Sequence, residues 1–116
     1  MRVTKEFVFD AAHNLPRYKG KCEKLHGHTW RVQVTVEGPV NPADGMTLDF
    51  CILRDIVKKE TIDVLDHSYL NDHIENPSAE NIALWIWNKI QGKLPVRLAE
   101  VKVWETPTSF VSCCGD

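Results

Sequence analysis

Three histidines have the spacing needed to hold a metal ion. His26 and His28 flank one glycine in a segment of alternating apolar and polar residues, and strand geometry places alternate side chains on one face. His13 ends the preceding alternating segment on its apolar side, so a hairpin-like return would bring it close to the other two. Three imidazoles with a fourth position left open are typical of catalytic zinc sites. We therefore predict Zn²⁺ bound by these histidines, with ordinary strand histidines as the alternative.

A cysteine precedes this pattern. Cys22 lies four residues before His26 and could be a fourth metal ligand, which would close the site and make it structural. It could instead act as a nucleophile or base, activated by neighbouring lysines and by the metal. An exposed loop thiol without a role is the third interpretation.

Two further segments carry groups that could move or accept protons. Asp66 precedes His67 in a polar segment, and a carboxylate beside an imidazole can orient it for proton transfer; a helix C-terminal cap is the alternative. Glu105 falls on the apolar side of its segment. There it could accept two N–H groups from a guanidine-like edge such as that of guanine or a pterin, or it could be a strand-end charge facing water.

The periodicity of the chain predicts the elements that position these residues. Helical spacing begins after Asp49, and Ser78 is a suitable N-cap for a second helix that ends at Gly92. The segment between the helices, residues 65–77, reads as a polar loop. Alternation predicts strands over residues 3–13, 26–37, 101–106 and 110–113. The order ββααββ predicts an α+β fold with both helices on one face of an antiparallel sheet.

Composition limits the classes of protein that this chain can represent. Its 116 residues are 43% hydrophobic and 26% charged, which is typical of one globular domain covering residues 1–116. A net charge of −2 gives no overall attraction to nucleic acid or to an anionic membrane. Charged residues interrupt the first ten positions, so we expect no export signal, a cytoplasmic location and cysteines present as thiols. Cys51, Cys113 and Cys114 receive no role.

One loop concentrates positive charge ahead of the paired histidines. Its cations could steer a polyphosphate group towards the site, or they could simply be solvated. They are Arg17, Lys19, Lys21 and Lys24, with Glu23 opposing them.

Five blocks together resemble the 6-pyruvoyltetrahydropterin synthase superfamily, most closely its 6-carboxy-5,6,7,8-tetrahydropterin synthase branch. The resemblance spans nearly the whole chain. It implies the tunnelling fold (T-fold), in which ββααββ subunits join their sheets into a barrel, usually as a homohexamer. The blocks are FDAAH at 9–13, CEKLHGH at 22–28, LDHSYLN at 65–71, NPSAEN at 76–81 and WETPTS at 104–109.

The resemblance also implies a reaction. The substrate is 7,8-dihydroneopterin triphosphate, and the carboxy branch converts it to 6-carboxytetrahydropterin with release of acetaldehyde and triphosphate, for 7-deazaguanine (queuosine precursor) synthesis. The pyruvoyl branch releases triphosphate alone. The implied roles are zinc ligands for His13, His26 and His28, the base for Cys22, its relay for Asp66 and His67, and pterin binding for Glu105. Where the family often has two hydroxyl residues, this chain has Ser78 followed by alanine, so Ser78 either caps the helix and also meets the pterin edge, or only caps the helix.

Three alternatives stay open at this point. The pyruvoyl enzyme would share the whole site and differ only in its product. A non-catalytic zinc module would use Cys22 with the three histidines as ligands. A zinc hydrolase would leave Cys22 and Glu105 without a role. For any of these, the open edges and uncovered face of a small sheet predict an oligomer.

Overall fold

A single five-stranded sheet is the framework of the molecule. The computed structural model describes residues 1–17, 19 and 24–116, and Cys22 lies outside the described residues. The strands are β1 (Arg2–His13), β2 (His26–Glu37), β3 (Ser68–Tyr69), β4 (Arg97–Thr106) and β5 (Ser109–Cys113). The helices are α1 (Phe50–Val57), α2 (Asp63–Leu65) and α3 (Ala79–Ile90), with π-helical Lys58–Ile62 joining α1 to α2 and a 3₁₀ turn at Leu70–Asp72.

The strand order is β3-β1-β2-β4-β5. The four long strands pair antiparallel with their neighbours, whereas β3 runs parallel to β1 at Ala11 and Ala12. The predicted α+β class is confirmed. The prediction of a loop throughout residues 65–77 is wrong, because β3 and the 3₁₀ turn lie in it. A two-residue strand is too short to show an alternating pattern.

Alternation along β1 and β2 divides the sheet into two faces. The helix-covered face carries the buried apolar side chains, which pack against α1 and α3. Both predicted helix starts are confirmed: the Asp49 carboxylate accepts a hydrogen bond from the Cys51 amide at 2.7 Å, and Ser78 Oγ accepts one from the Asn81 amide at 3.2 Å. Within the described ranges, no helix has the length and apolar character needed to cross a membrane.

The helix-free face carries one cross-strand row of large side chains. Val8, Arg31, Trp104 and Phe110 lie opposite one another on β1, β2, β4 and β5. The Arg31 guanidinium lies 3.9 Å from the centroid of the Trp104 ring, and the Phe110 ring stacks on the same indole at 4.8 Å. Val8 is 63% exposed and Phe110 51%. This row therefore leaves apolar surface on a face that no helix covers.

Candidate metal centre

The register between β1 and β2 assembles the three histidines. His13 pairs directly with His26, and Ala11 pairs with His28, so all three rings project from the helix-covered face. The ring centroids are 4.5 Å apart for His13 and His26, 4.8 Å for His26 and His28, and 5.3 Å for His13 and His28. An antiparallel hairpin thus converts a sequence separation of 13 residues into contact between side chains.

Backbone carbonyls orient two of the rings. His13 Nδ1 donates a hydrogen bond to the Pro77 carbonyl at 2.8 Å, and His26 Nδ1 donates one to the Lys24 carbonyl at 2.7 Å. A carbonyl can only accept, so each bond places the ring proton on Nδ1 and leaves a lone pair on Nε2. The two Nε2 atoms face each other at 2.9 Å. A cation held between them would remove the repulsion between these lone pairs.

The third histidine meets a carboxylate. Nε2 of His28 is buried and has no hydrogen-bond partner among the described residues. It lies 3.5 Å from Oε1 of Glu105. A buried ring nitrogen without a hydrogen-bond partner destabilises the folded protein. Coordination of this nitrogen to a bound cation would remove that penalty. One ligand atom from each of the three histidines and Glu105 lies within 4.8 Å of the others, and this donor set suits Zn²⁺.

Burial sets the protonation of two of these rings. Desolvation lowers the pKa of His13, although its bond to the Pro77 carbonyl acts in the opposite direction. Desolvation also lowers the pKa of His28, against the opposing effect of the Glu105 carboxylate. Both shifts favour neutral imidazole, which is the form that binds a metal ion.

A groove borders the cluster. Its volume is about 540 Å³, and its lining includes His28, Thr29, Arg31 and Glu105. A second groove of about 520 Å³ shares His28 and also reaches His67. Volumes of this size are typical of sites for small molecules.

Asp66 and His67 form a separate group. His67 Nδ1 lies 3.0 Å from Asp66 Oδ1, which also accepts a hydrogen bond from the Asp10 amide at 3.0 Å. The Asp10 amide bond is the main cause that lowers the pKa of the Asp66 carboxyl, and His67 adds to it. The Asp10 side chain projects from the helix-free face, where Thr29 Oγ1 donates to it at 2.5 Å. The structure therefore pairs Asp66 with His67 but groups them with Asp10, not with the three histidines.

Comparison with known proteins identifies the family. The model of the 6-pyruvoyl tetrahydropterin synthase family matches residues 2–116. The chain belongs to this family. A Synechocystis protein described as 6-carboxy-5,6,7,8-tetrahydropterin synthase is 41% identical over 113 residues, which cover 92% of this chain and 88% of the relative. The predicted membership of the pterin synthase family is confirmed.

Other relatives differ in their described activity. A Pyrococcus furiosus protein described as dihydroneopterin monophosphate aldolase is 40% identical over 106 residues, covering 90% of this chain and 89% of the relative. The structure of Caenorhabditis elegans 6-pyruvoyl tetrahydropterin synthase superimposes with a TM-score of 0.91 at 25% identity, covering 100% of this chain and 96% of the other. The predicted T-fold is thereby confirmed as the subunit fold of this pterin synthase family member.

The remaining predicted residues lie in different surroundings. Ser78 caps α3 and follows Pro77, whose carbonyl orients His13, so it borders the histidine cluster of this pterin synthase homologue. Cys22 and Lys21 lie outside the described residues. Among the other loop cations, Arg17 is exposed and donates to the Glu75 carboxylate at 2.6 Å. Cys51 and Cys114 are exposed thiols, and Cys113 is a buried one.

Sequence reasoning missed the groups that hold the loops around the site. Asn14 and Asn71 exchange two hydrogen bonds: the Asn14 amide donates to Asn71 Oδ1 at 3.1 Å, and Asn71 Nδ2 donates to the Asn14 carbonyl at 2.9 Å. The Tyr69 hydroxyl donates to Asn14 Oδ1 at 2.5 Å. These contacts secure the chain just after His13. Tyr69 and Asn71 both lie in the LDHSYLN block, so the family motif contained the signal. Pro77 and Lys24 also lie in family blocks, but every residue has a backbone carbonyl, so their residue types did not indicate this role.

Proposed function

We propose that the protein is a zinc-dependent 6-carboxy-5,6,7,8-tetrahydropterin synthase acting on 7,8-dihydroneopterin triphosphate. The observation that carries this proposal is the cluster of three histidine nitrogens and one carboxylate beside a groove. The family and the Synechocystis relative supply the pterin chemistry. A role in 7-deazaguanine synthesis and a cytoplasmic location belong to the same proposal.

The proposed roles follow from the chemistry of each group. Zn²⁺ held by His13, His26 and His28 would act as a Lewis acid towards the side-chain hydroxyls of the substrate. The Glu105 carboxylate would accept two N–H groups from the ring edge. The roles proposed for the other residues are the base for Cys22, proton transfer for Asp66 and His67, and contact with the pterin edge for Ser78.

Assembly into an oligomer would bring Asp66 and His67 of one subunit next to the histidine cluster of another. In one chain the pair groups with Asp10, whose side chain projects from the helix-free face. We propose a homohexamer, in which Asp66 and His67 of one subunit can serve the metal centre of another. The exposed apolar side chains of Val8 and Phe110 on the helix-free face support the assembly.

Product analysis tests the proposed reaction. The zinc-loaded protein is incubated with 7,8-dihydroneopterin triphosphate, and the products are separated. The carboxy-type reaction should yield acetaldehyde, inorganic triphosphate and 6-carboxytetrahydropterin in equal amounts. Triphosphate without acetaldehyde would instead identify the pyruvoyl-type enzyme, and an unchanged substrate would favour the non-catalytic zinc module.

An aldolase is the second candidate, and the Pyrococcus relative favours it because its identity to this chain is 40%. Glu23 directly follows Cys22 in the sequence, so its carboxylate is a candidate base in addition to the thiol. Aldol cleavage between the two hydroxyl-bearing carbons would leave a hydroxymethyl pterin and release a phosphorylated glycolaldehyde. These products distinguish it from both synthases, and Cys22→Ala and Glu23→Gln would separate the two bases.

A further inference from the structure

One stretch of β1 is bound residue by residue to the segment that carries Asp66 and His67. Both backbone groups of Asp10 take part: its N–H donates to the Asp66 carboxylate at 3.0 Å, and its carbonyl accepts from the His67 amide at 2.7 Å. Ala11 and Ala12 then pair with the two residues of β3. The contacts therefore begin at the proposed proton-transfer pair and run along β1 towards its end.

A side chain continues these contacts where β3 stops. Oδ1 of Asn71 accepts a hydrogen bond from the Asn14 amide at 3.1 Å, and Nδ2 of Asn71 donates to the Asn14 carbonyl at 2.9 Å. A side-chain amide thus takes the place of a strand neighbour. The Tyr69 hydroxyl adds a bond to Oδ1 of Asn14. The chain is therefore held at Asp10 and again just past the end of β1, about 13 Å further along.

β3 alone is too short to fix where this segment lies along β1. A strand of two residues offers few ladder hydrogen bonds, and a slip of one residue would turn every side chain to the opposite face. Leu70 is fully buried and anchors the segment in the core, but apolar contacts are non-directional and select no register. The two bonds between Asn71 and Asn14 are directional and match the N–H and carbonyl of one residue, so they select it.

His67 depends on this register more than its neighbours do. Its side chain is 79% exposed, so the position of the ring is set by the backbone that carries it and by the contact with Asp66. That backbone has a φ of +57°, a left-handed conformation that costs free energy outside glycine and persists where the surroundings impose it. The bond from the His67 amide to the Asp10 carbonyl imposes it, and this bond requires the observed register.

We propose that Asn71, assisted by Tyr69, is a positioning residue for the Asp66–His67 pair. It fixes the register of their segment on β1 and thereby the place at which the His67 ring is presented at the edge of the sheet. The register role depends only on the observed bonds, whereas the effect on proton transfer rests on the proposed function. Asn71 acts through the backbone of the chain next to β1 and needs no contact with substrate.

Amide hydrogen exchange tests the register without substrate. In the wild-type protein, the His67 amide is protected by its bond to the Asp10 carbonyl. Asn71→Ala removes both bonds to the Asn14 backbone and should speed exchange of the His67 amide about tenfold or more, since the loss of two hydrogen bonds has effects of this order. Wild-type protection of His67 in Asn71→Ala would overturn the proposal.

Two controls and an isosteric variant sharpen this measurement. The Ile82 amide, which lies in α3, should exchange as in wild type, and Asn88→Ala, which changes an exposed asparagine of the same helix, should leave His67 protected. Asn71→Asp keeps the shape of the side chain, but its second carboxylate oxygen would face the Asn14 carbonyl. It should therefore expose the His67 amide as Asn71→Ala does. Full protection in Asn71→Asp would mean that Asn71 only fills space and would overturn the hydrogen-bonding role.

Turnover of 7,8-dihydroneopterin triphosphate tests the positioning role. Asn71→Ala should lower kcat at least about tenfold, because a misplaced catalytic group costs at least this factor. KM and zinc content should not change, since the groups proposed to bind substrate and metal remain. Tyr69→Phe, which removes one bond to Asn14, should change exchange and kcat in the same direction but less, and it replaces Asn71→Ala if that variant does not fold.

The combined results separate this proposal from the proposed reaction. Faster exchange of the His67 amide in Asn71→Ala with a normal kcat would overturn the positioning role. A fall in KM or zinc content that accounts for the whole loss of activity would overturn it as well. Wild-type protein that produces no turnover, but in which protection of His67 depends on Asn71, would reject the proposed reaction and retain the register role.

Discussion

At the residue scale, His28 has the clearest need for a bound cation. Its Nε2 is buried without a hydrogen-bond partner among the described residues, so replacing the ring should remove one of the three proposed metal ligands. We expect His28→Ala and His26→Ala to lose most bound zinc, measured by metal analysis after gel filtration. His73→Ala is the control, since His73 is exposed beyond the 3₁₀ turn. Full zinc content in either cluster variant would contradict the assignment.

Glu105 should set the affinity for pterins. Two charge-assisted hydrogen bonds of about 1.5–3 kcal/mol each would form between its carboxylate and the ring edge. Glu105→Gln is nearly isosteric, but its NH₂ group would oppose one ring donor. We expect metal-free Glu105→Gln protein to bind 7,8-dihydroneopterin at least about tenfold more weakly, or ~1.4 kcal/mol. Calorimetry that finds wild-type affinity would mean that another group, with Ser78 first, holds the ring.

Cys22 separates an enzyme from a structural zinc module. If its thiolate is the base, Cys22→Ala should retain zinc and lose turnover by at least about a hundredfold, in line with the usual contribution of a general base. Cys51→Ala, which changes a thiol that the structure shows to be exposed, should leave both properties unchanged. Simultaneous loss of zinc and activity in Cys22→Ala would favour the structural module.

At the element scale, the link between Asp66 and β1 predicts a pH-dependent contribution to stability. The Asp10 amide bond lowers the folded-state pKa of the Asp66 carboxyl below its unfolded value, so the stabilisation is present above the unfolded pKa and is lost as pH falls through the folded pKa. Asp66→Asn should therefore have a lower melting temperature than wild type at pH 7. The difference should shrink below about pH 4.

Thermal unfolding across this pH range, followed by circular dichroism, tests the link. Asp72→Asn, in the adjacent 3₁₀ turn, is the matched control because the described contacts of Asp72 include no bond to β1. If the melting temperatures of Asp66→Asn and wild type differed more at lower pH, the hydrogen bond between the Asp66 carboxylate and the Asp10 amide would not have the proposed stabilising role.

The long strands and helices could be predicted because burying one face of each imposes a regular spacing of apolar residues. β2 spans the same residues, 26–37, in the sequence pattern and in the structure, and Asp49 and Ser78 cap their helices as expected. The π-helical Lys58–Ile62 and the two-residue β3 were missed because neither is long enough to impose a period of its own. β3 depends instead on tertiary bonds, such as the 2.7 Å bond from the His67 amide to the Asp10 carbonyl.

At the scale of the whole molecule, the site was predictable wherever strand register decides it. Alternate residues of a strand share one face, which predicted that His26 and His28 lie together. A hairpin return predicted that His13 lies beside them, as the strand register shows. The carbonyls that orient two of these rings were not predictable, because every residue has one and only the folded chain selects Pro77 and Lys24. The grouping of Asp66 and His67 with Asp10 likewise depends on the β1–β3 pairing.

The sheet itself predicts self-association. Within the described residues, the pairing of β1 with β3 is confined to Ala11 and Ala12, which leaves most of that edge without a strand neighbour. Open edges favour pairing with another chain, and Phe110 adds apolar surface on β5 at the opposite edge. We expect a homohexamer in solution, with about six times the 13.3 kDa mass of one chain.

Light scattering coupled to gel filtration at micromolar concentration measures this mass. Phe110→Lys should shift the protein towards smaller species, because it places a charge where another sheet would pack, and circular dichroism should show that the fold is retained. Val64→Lys, which changes a side chain 38% exposed on α2, is the control and should keep the wild-type mass. If the smaller species of Phe110→Lys also lost turnover while keeping zinc, the metal centre would be complete in one chain and the missing proton-transfer groups would come from a neighbour. A wild-type monomer with full activity would exclude both the hexamer and the shared site.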